Sequence, residues 1–271
     1  VPALWELLSN AGVRVGVTGW WATWPADRVN GTMVTDRVAY QLFGYSSDPR
    51  SAAGKTWPAA AYDTVRPLIV PTDAIPWSEV ATYLDGPRRQ PDEFDADERQ
   101  RLEEFRTLLA AGKTYLDVAL AMRQREKPSF EAVYFEGTDT VSHLFMSYRA
   151  PQLTSIDARG FASFRSMVDR TYENADRMLG RLLEGREGWT VIVLSDHGFA
   201  SDATRPLTTD SRIGHGAAAD WHRRFGLFVM SGPSVKRGTR LEEASVYDVA
   251  PTILALFHQP VPRSWPGRVL G

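Results

Sequence analysis

The stretch Thr190–Gly198, TVIVLSDHG, decides the fold of this chain. Thr190, Val191, Ile192, Val193 and Leu194 form an unbroken, mostly β-branched apolar run, and Ser195-Asp196-His197-Gly198 stops it. Such a run bounded by turn residues reads as a strand covered on both faces, because a strand with one wet face alternates. Ala132–Glu136 (AVYFE) repeats the form and ends at Gly137. Both are predicted to be interior parallel strands. Working outward, Val13–Thr18 (VRVGVT), set off by Asn10-Ala11-Gly12 and Gly19, is predicted as a central strand, and Gly226–Met230 (GLFVM) as a fourth.

Helical spacing fills the intervals. Asp95-Ala96-Asp97-Glu98 has the form of a capping box, and Leu102, Phe105, Leu109, Leu116 and Leu120 follow at helical spacing, which predicts a helix over 96–125. Phe161, Phe164, Val168, Tyr172, Ala175, Leu179 and Leu182 mark one face of a crossover helix that stops near Gly185. A last helix is expected over Val246–Phe257, with Ser245 and Asp248 at its start. Strands alternating with helices imply an α/β fold, a mostly parallel central sheet with helices on both faces. Residues 1–271 are expected to form a single domain, with a loop-rich insertion at 19–91 where Trp, Pro and Gly abound.

Composition narrows the function. The 271 residues carry 31 basic and 33 acidic side chains, a net charge of −2, which leaves no basic excess for a nucleic-acid duplex. The chain has no cysteine, so any metal must be held by His, Asp and Glu. No apolar run approaches the roughly 18 residues of a membrane span, so a soluble chain is expected. Its compartment is not indicated, export would need a signal upstream of Val1, and the oligomeric state is open.

Ligands of open α/β sheets gather outside the carboxyl ends of the strands. Asp139 and His143 follow one predicted strand, and Asp196 and His197 follow another. At i, i+4 on a helix, Asp139 and His143 share a face, and carboxylate with imidazole suits zinc or another borderline divalent ion. A lone Asp or His after a strand is usually a cap, but two such pairs at two strand ends point to metal. His215 and His222, both ahead of the fourth strand, could each complete a three-ligand set with Asp139 and His143. His258 reads as structural. Trp20, Trp21 and Trp24 read first as packing and second as a substrate wall. The basic pairs Arg88-Arg89, Arg223-Arg224 and Lys236-Arg237 read as a solvated surface.

At these residues the chain resembles the alkaline phosphatase superfamily, in its type I phosphodiesterase/nucleotide pyrophosphatase-like branch. The resembling segments are Gly19–Gly31 (GWWATWPADRVNG), Tyr134–Phe145 (YFEGTDTVSHLF), Val191–Phe199 (VIVLSDHGF), Trp221–Gly238 (WHRRFGLFVMSGPSVKRG) and Ser245–Leu254 (SVYDVAPTIL). The resemblance implies that Asp139, His143 and His222 hold one zinc, and that Asp196 and His197 are half the ligands of a second. Manganese or another divalent ion is the alternative. It also implies a further aspartate and a Thr or Ser nucleophile, both expected upstream of Val1, so that the fold is amino-terminally incomplete and this chain alone is inactive. Thr18, Thr23 and Thr35 are rejected as substitutes because they lie downstream of the nucleophile's place. The implied function is two-metal hydrolysis of a small phosphate ester or nucleotide. The alternatives are a phosphomonoesterase, a phosphoglycerate-mutase-like enzyme, a sulfatase, or a non-catalytic metal-binding module.

Overall fold

In the computed structural model, residues 2–40, 51–86, 89–202, 205–206 and 218–270 are described. The central sheet has four strands in the order β3-β2-β1-β4, namely β1 (Val15–Thr18), β2 (Gly31–Val34), β3 (Thr56–Trp57) and β4 (Phe130–Val133). β1 lies parallel to β2 and β4, and the short β3 runs antiparallel to β2. The expected central strand is therefore β1. β2 and β3 fall inside the stretch expected to be loops. β2 begins at Gly31, whose φ of +139° suits glycine and where a Cβ would sit 2.0 Å from the Val15 carbonyl oxygen.

Helices cover both faces of this sheet. α1 (Leu4–Asn10) and α8 (Val246–Leu256) pack Leu8, Ile253 and Leu254 against Val15, Val17 and Met33 on one face. On the other lies the 31-residue α4 (Ala96–Glu126), whose Tyr115, Val118 and Met122 join Val34 and Val38. α4 starts as expected: Asp95 accepts from the Glu98 amide at 2.9 Å and Glu98 accepts from the Asp95 amide at 3.0 Å. It ends where Lys127 turns left-handed ahead of Pro128. Two short helices, α2 (Tyr62–Val65) and α3 (Trp77–Val80), precede α4. Beyond it, α5 (Gly137–Phe145), α6 (Ala158–Phe164) and α7 (Met167–Leu183) close a second core around Phe105, Phe145 and Phe164, all fully buried. Burying each such ring contributes about 1.5–3 kcal/mol.

The remaining strands differ from expectation. β5 (Val191–Leu194) is not hydrogen-bonded to β4; it pairs antiparallel with β8 (Phe228–Ser231) in a sheet of its own. Neither β4 nor β5 is therefore an interior strand among the described residues. β4 also starts earlier than expected, at Phe130, because Ser129 and Phe130 both donate to the Arg14 carbonyl and set the pairing with β1. Its end at Val133 leaves Tyr134–Glu136 as the lead into α5. A further two-stranded piece pairs β6 (Gly198–Phe199) antiparallel with β7 (His222–Arg223). No helix among the described residues is long and apolar enough to cross a membrane.

Candidate metal centre

The carboxyl ends of β4 and β5 meet. Glu136, buried at the foot of α5, fixes how that helix starts. Its backbone oxygen accepts from the amides of Asp139 and Thr140, both at 3.1 Å, and its carboxylate accepts from Trp21 Nε1, from Tyr134 Oη at 3.0 Å and from Thr140 Oγ1 at 3.2 Å. Burial, together with nearby Asp139, pushes the Glu136 carboxyl above the usual carboxylate range. So anchored, α5 presents Asp139 and His143 one turn apart, with Oδ1 and Nε2 separated by 3.6 Å.

The other imidazoles arrive from the second sheet. At the end of β5 the Leu227 amide donates to Ser195 Oγ at 2.8 Å, and the Ser195 amide donates to the Leu227 carbonyl at 2.9 Å. Gly226 permits this corner, since a Cβ there would lie 2.2 Å from the Ser195 carbonyl oxygen. His197 Nδ1 lies 3.1 Å from its Gly198 carbonyl partner, so Nδ1 carries the proton and Nε2 is left free to bind, 3.5 Å from Asp139 Oδ1. β7 sets His222 opposite Phe199 of β6; its ring stacks on His197 at 3.9 Å, and Phe199 packs edge-on against His143 at 4.8 Å. His222 Nε2 lies 3.9 Å from Asp139 Oδ1 and 3.0 Å from His143 Nε2.

These distances suit one cation. Asp139 Oδ1 is buried and accepts no hydrogen bond, an unmet acceptor facing three ring nitrogens. Asp139, His197 and His222 offer ligand atoms all within 4.8 Å of one another, with Asp139 Oδ1 at 3.5 and 3.9 Å from the two ring nitrogens, near the roughly 3.4 Å edge of a tetrahedron about an ion bonded at about 2.1 Å; His143 Nε2 adjoins Asp139 and His222 at 3.6 and 3.0 Å. Burial and the neighbouring imidazoles lower the pKa of His222, and burial raises that of Asp139. A neutral imidazole is the form that binds metal.

Sequence reasoning assigned Asp139, His143 and His222 to one ion and Asp196 and His197 to another. The structure groups Asp139, His197 and His222, with His143 beside Asp139 and His222. Asp196 stands at its mouth, 81% exposed, with Oδ1 3.9 Å from His197 Nε2. His215 and Arg88 lie outside the described residues. His258 is exposed just after α8, as are Lys236 and Arg237 in their turn. Arg89 is structural, donating to Ser163 Oγ at 3.1 Å. Trp20 and Trp21 line the cavity beside the cluster, whereas Trp24 lies under the Arg37 guanidinium. Thr18, Thr23 and Thr35 are all buried. Glu136 was missed; a lone acid closing an apolar strand, YFEG, was the available signal.

The chain is similar to 2,3-bisphosphoglycerate-independent phosphoglycerate mutases: 31% identical over 103 residues to that of Chromohalobacter salexigens, covering 37% of this chain and 18% of the mutase. The Nostoc sp. mutase is 34% identical over 109 residues, covering 37% and 19%, and the Trichormus variabilis mutase 35% over 106 residues, covering 36% and 19%. The matched part thus spans less than a fifth of each of these relatives. No solved structure matches. Residues 2–226 match the family described as type I phosphodiesterase / nucleotide pyrophosphatase, and with most of its length inside that match the chain belongs to this family, within the alkaline phosphatase superfamily.

Proposed function

We propose that this chain is the metal-binding part of a zinc-dependent phosphoric ester hydrolase of the phosphodiesterase or nucleotide pyrophosphatase type. The observation that carries the proposal is the convergence of three imidazoles on a buried Asp139 oxygen that accepts no hydrogen bond. Asp139, His197 and His222 are the residues that would hold the ion, with His143 beside them, and in this reading Asp196 serves a second one. Bound divalent ions supply charge stabilisation at phosphoryl oxygens and activate an oxygen nucleophile.

The chain's own residues do the rest. Glu136 and the Phe199 ring hold Asp139 and the imidazoles in register before substrate arrives, so little reorganisation is left for the reaction. Trp20, Trp21 and Tyr134, on the cavity wall, offer apolar faces to the group carried by the phosphate. The attacking hydroxyl and the remaining ligands come, in this reading, from polypeptide upstream of Val1, and residues 1–271 alone are inactive. Similarity to phosphoglycerate mutases favours a second reading, transfer of a phosphoryl group between hydroxyls of one small acid.

The test is nitrophenol release from bis(4-nitrophenyl) phosphate with zinc or EDTA, by residues 1–271 and by the polypeptide encoded by the whole reading frame. Activity is expected only from the longer polypeptide with zinc, and should be lost with Asp196→Ala. Interconversion of phosphoglycerates without diester cleavage would favour the second reading. Turnover by residues 1–271 at ordinary enzyme rates, roughly 1–1000 per second, would place the nucleophile within them and refute the proposal.

A further inference from the structure

Two aromatic residues hold Glu136 at both ends. The Tyr40 hydroxyl accepts from the Glu136 amide at 3.1 Å and donates to the Tyr134 carbonyl at 3.0 Å, while Trp21 Nε1 donates to the Glu136 carboxylate. The rings of Trp21 and Tyr40 lie 3° from parallel, with centroids 6.1 Å apart. Of the three donors to the carboxylate, Tyr134 and Thr140 stand two and four positions from Glu136 and travel with it, whereas Trp21 is 115 positions away. The indole is therefore the donor that ties this carboxylate to another part of the fold.

Trp21 is itself fixed in place. The chain leaves β1 at Gly19, whose φ of +70° suits glycine and where a Cβ would lie 2.9 Å from the Tyr115 ring. Ala22, directly after Trp21, is left-handed at φ +57°, a conformation that disfavours any residue with a Cβ. The buried Asp36 carboxylate holds it there by accepting the Ala22 amide at 3.2 Å, and Thr23 Oγ1 closes the turn by donating to the Trp20 carbonyl. The turn so held delivers the indole N–H to Glu136.

Glu136 in turn sets the ligand. Its carbonyl accepts from the Asp139 amide in the first turn of α5, and Asp139 Oδ1 accepts no hydrogen bond of its own. The place of that oxygen, 3.5 and 3.9 Å from the Nε2 atoms of His197 and His222, thus follows the turn that carries it. We infer that Trp21 is a positioning residue of the metal centre: its N–H fixes Glu136, Glu136 fixes the first turn of α5, and that turn places Asp139 Oδ1 opposite the imidazoles. The Trp-rich stretch after β1 thereby acts on the ion as well as lining the cavity. The inference rests on the proposed metal centre, and its test is read without turnover.

Calorimetric titration of the 271-residue chain with zinc provides the first measurement. Trp21→Phe keeps a ring against Tyr40 and removes the donor; it should bind zinc about 10–100-fold more weakly, the loss expected when a group that orients a metal ligand is removed. Trp24→Phe, which removes the donor to the Ala53 carbonyl, should bind as the native chain does. Because Trp21 acts through Glu136, the double variant Trp21→Phe/Glu136→Ala should bind no more weakly than Glu136→Ala alone. Unchanged affinity in Trp21→Phe overturns the inference, and so do losses that multiply in the double variant. The second measurement needs no variant: in the NMR spectrum of the native chain, the Trp21 Nε1–H resonance should shift as zinc is added and saturate with the calorimetric Kd, while that of Trp24 stays in place. A Trp21 resonance that does not move with zinc overturns the inference. Absence of zinc binding by the native chain would refute the metal centre itself, whereas native binding without these effects would refute only the role of Trp21.

Discussion

Replacing Asp139 by Asn should raise the melting temperature of the metal-free chain and lower that of the zinc-loaded one. Asp139 Oδ1 accepts no hydrogen bond, and its nearest ionisable neighbours are the Nε2 atoms of His197, His143 and His222 at 3.5, 3.6 and 3.9 Å. Burial raises its pKa above the unfolded value. A group raised in this way contributes stability below its unfolded pKa and loses that contribution as pH rises through the folded one, so at pH 8 the ionised carboxylate is a net cost. An unmet buried acceptor costs about 1–3 kcal/mol. Asn keeps the shape and removes the charge, recovering about 1 kcal/mol, or about 2–4 °C for a chain of this size. With zinc at 100 times its Kd the native chain gains about 2.7 kcal/mol, roughly 5–10 °C, and the variant should forfeit most of that gain. Scanning calorimetry at pH 8, in EDTA and in zinc, reads both signs. The metal-free advantage should shrink as pH falls through the raised Asp139 pKa. An Asn variant less stable than the native chain in EDTA would refute the reasoning, and equal zinc gains in both would remove Asp139 from the ligand set.

Three further outcomes are expected. Titration with zinc should give at least ~100-fold weaker binding for His197→Ala and His222→Ala, against little change for His258→Ala, which lies outside the cluster. Asp95→Ala removes the acceptor for the Glu98 amide at the start of α4 and should cost about 1 kcal/mol in urea unfolding. Tyr115→Phe strands the Ala39 amide, which donates to the Tyr115 hydroxyl at 3.0 Å, and should cost about 1–3 kcal/mol; a loss under 0.5 kcal/mol would mean that the amide finds another acceptor.

Much of this architecture was legible because its signals are local. The capping box at Asp95 and the periodic Leu and Phe positions predicted α4 to within one residue of its end at Glu126. β1, β5 and β8 were legible as short apolar runs. β2 was not, because Gly31-Thr32-Met33-Val34 is only four residues long and half of them are poor strand signals; the pairing with β1 decides it, and pairing is not local. The same limit hid the order of the strands. An apolar run says that both faces are covered and says nothing about which edge has a neighbour, so β4 and β5 looked interior. At the site, the residue types and strand-end positions pointed to Asp139, His143, Asp196 and His197, and left His215 and His222 open until the family resemblance favoured His222. Their grouping depends on the stacking of His222 on His197, which comes from the β6–β7 pairing and has no counterpart in spacing. Glu136 escaped because its role lies in partners remote in sequence, Trp21 and Tyr40.

The cluster also has a mechanical meaning. Asp139 stands on α5, which follows the four-stranded sheet, whereas His197 lies between β5 and β6 and His222 on β7; Asp139 and His222 are about 80 positions apart. An ion bound by Asp139, His197 and His222 would be a cross-link between the halves in a chain that has no cysteine with which to make a covalent one. Closing a loop of about 80 residues removes about 4.5 kcal/mol of freedom from the unfolded chain when the link is permanent. A metal link gives a comparable restraint only while the ion is bound, so the supply of zinc would set how firmly the second half is fastened to the first.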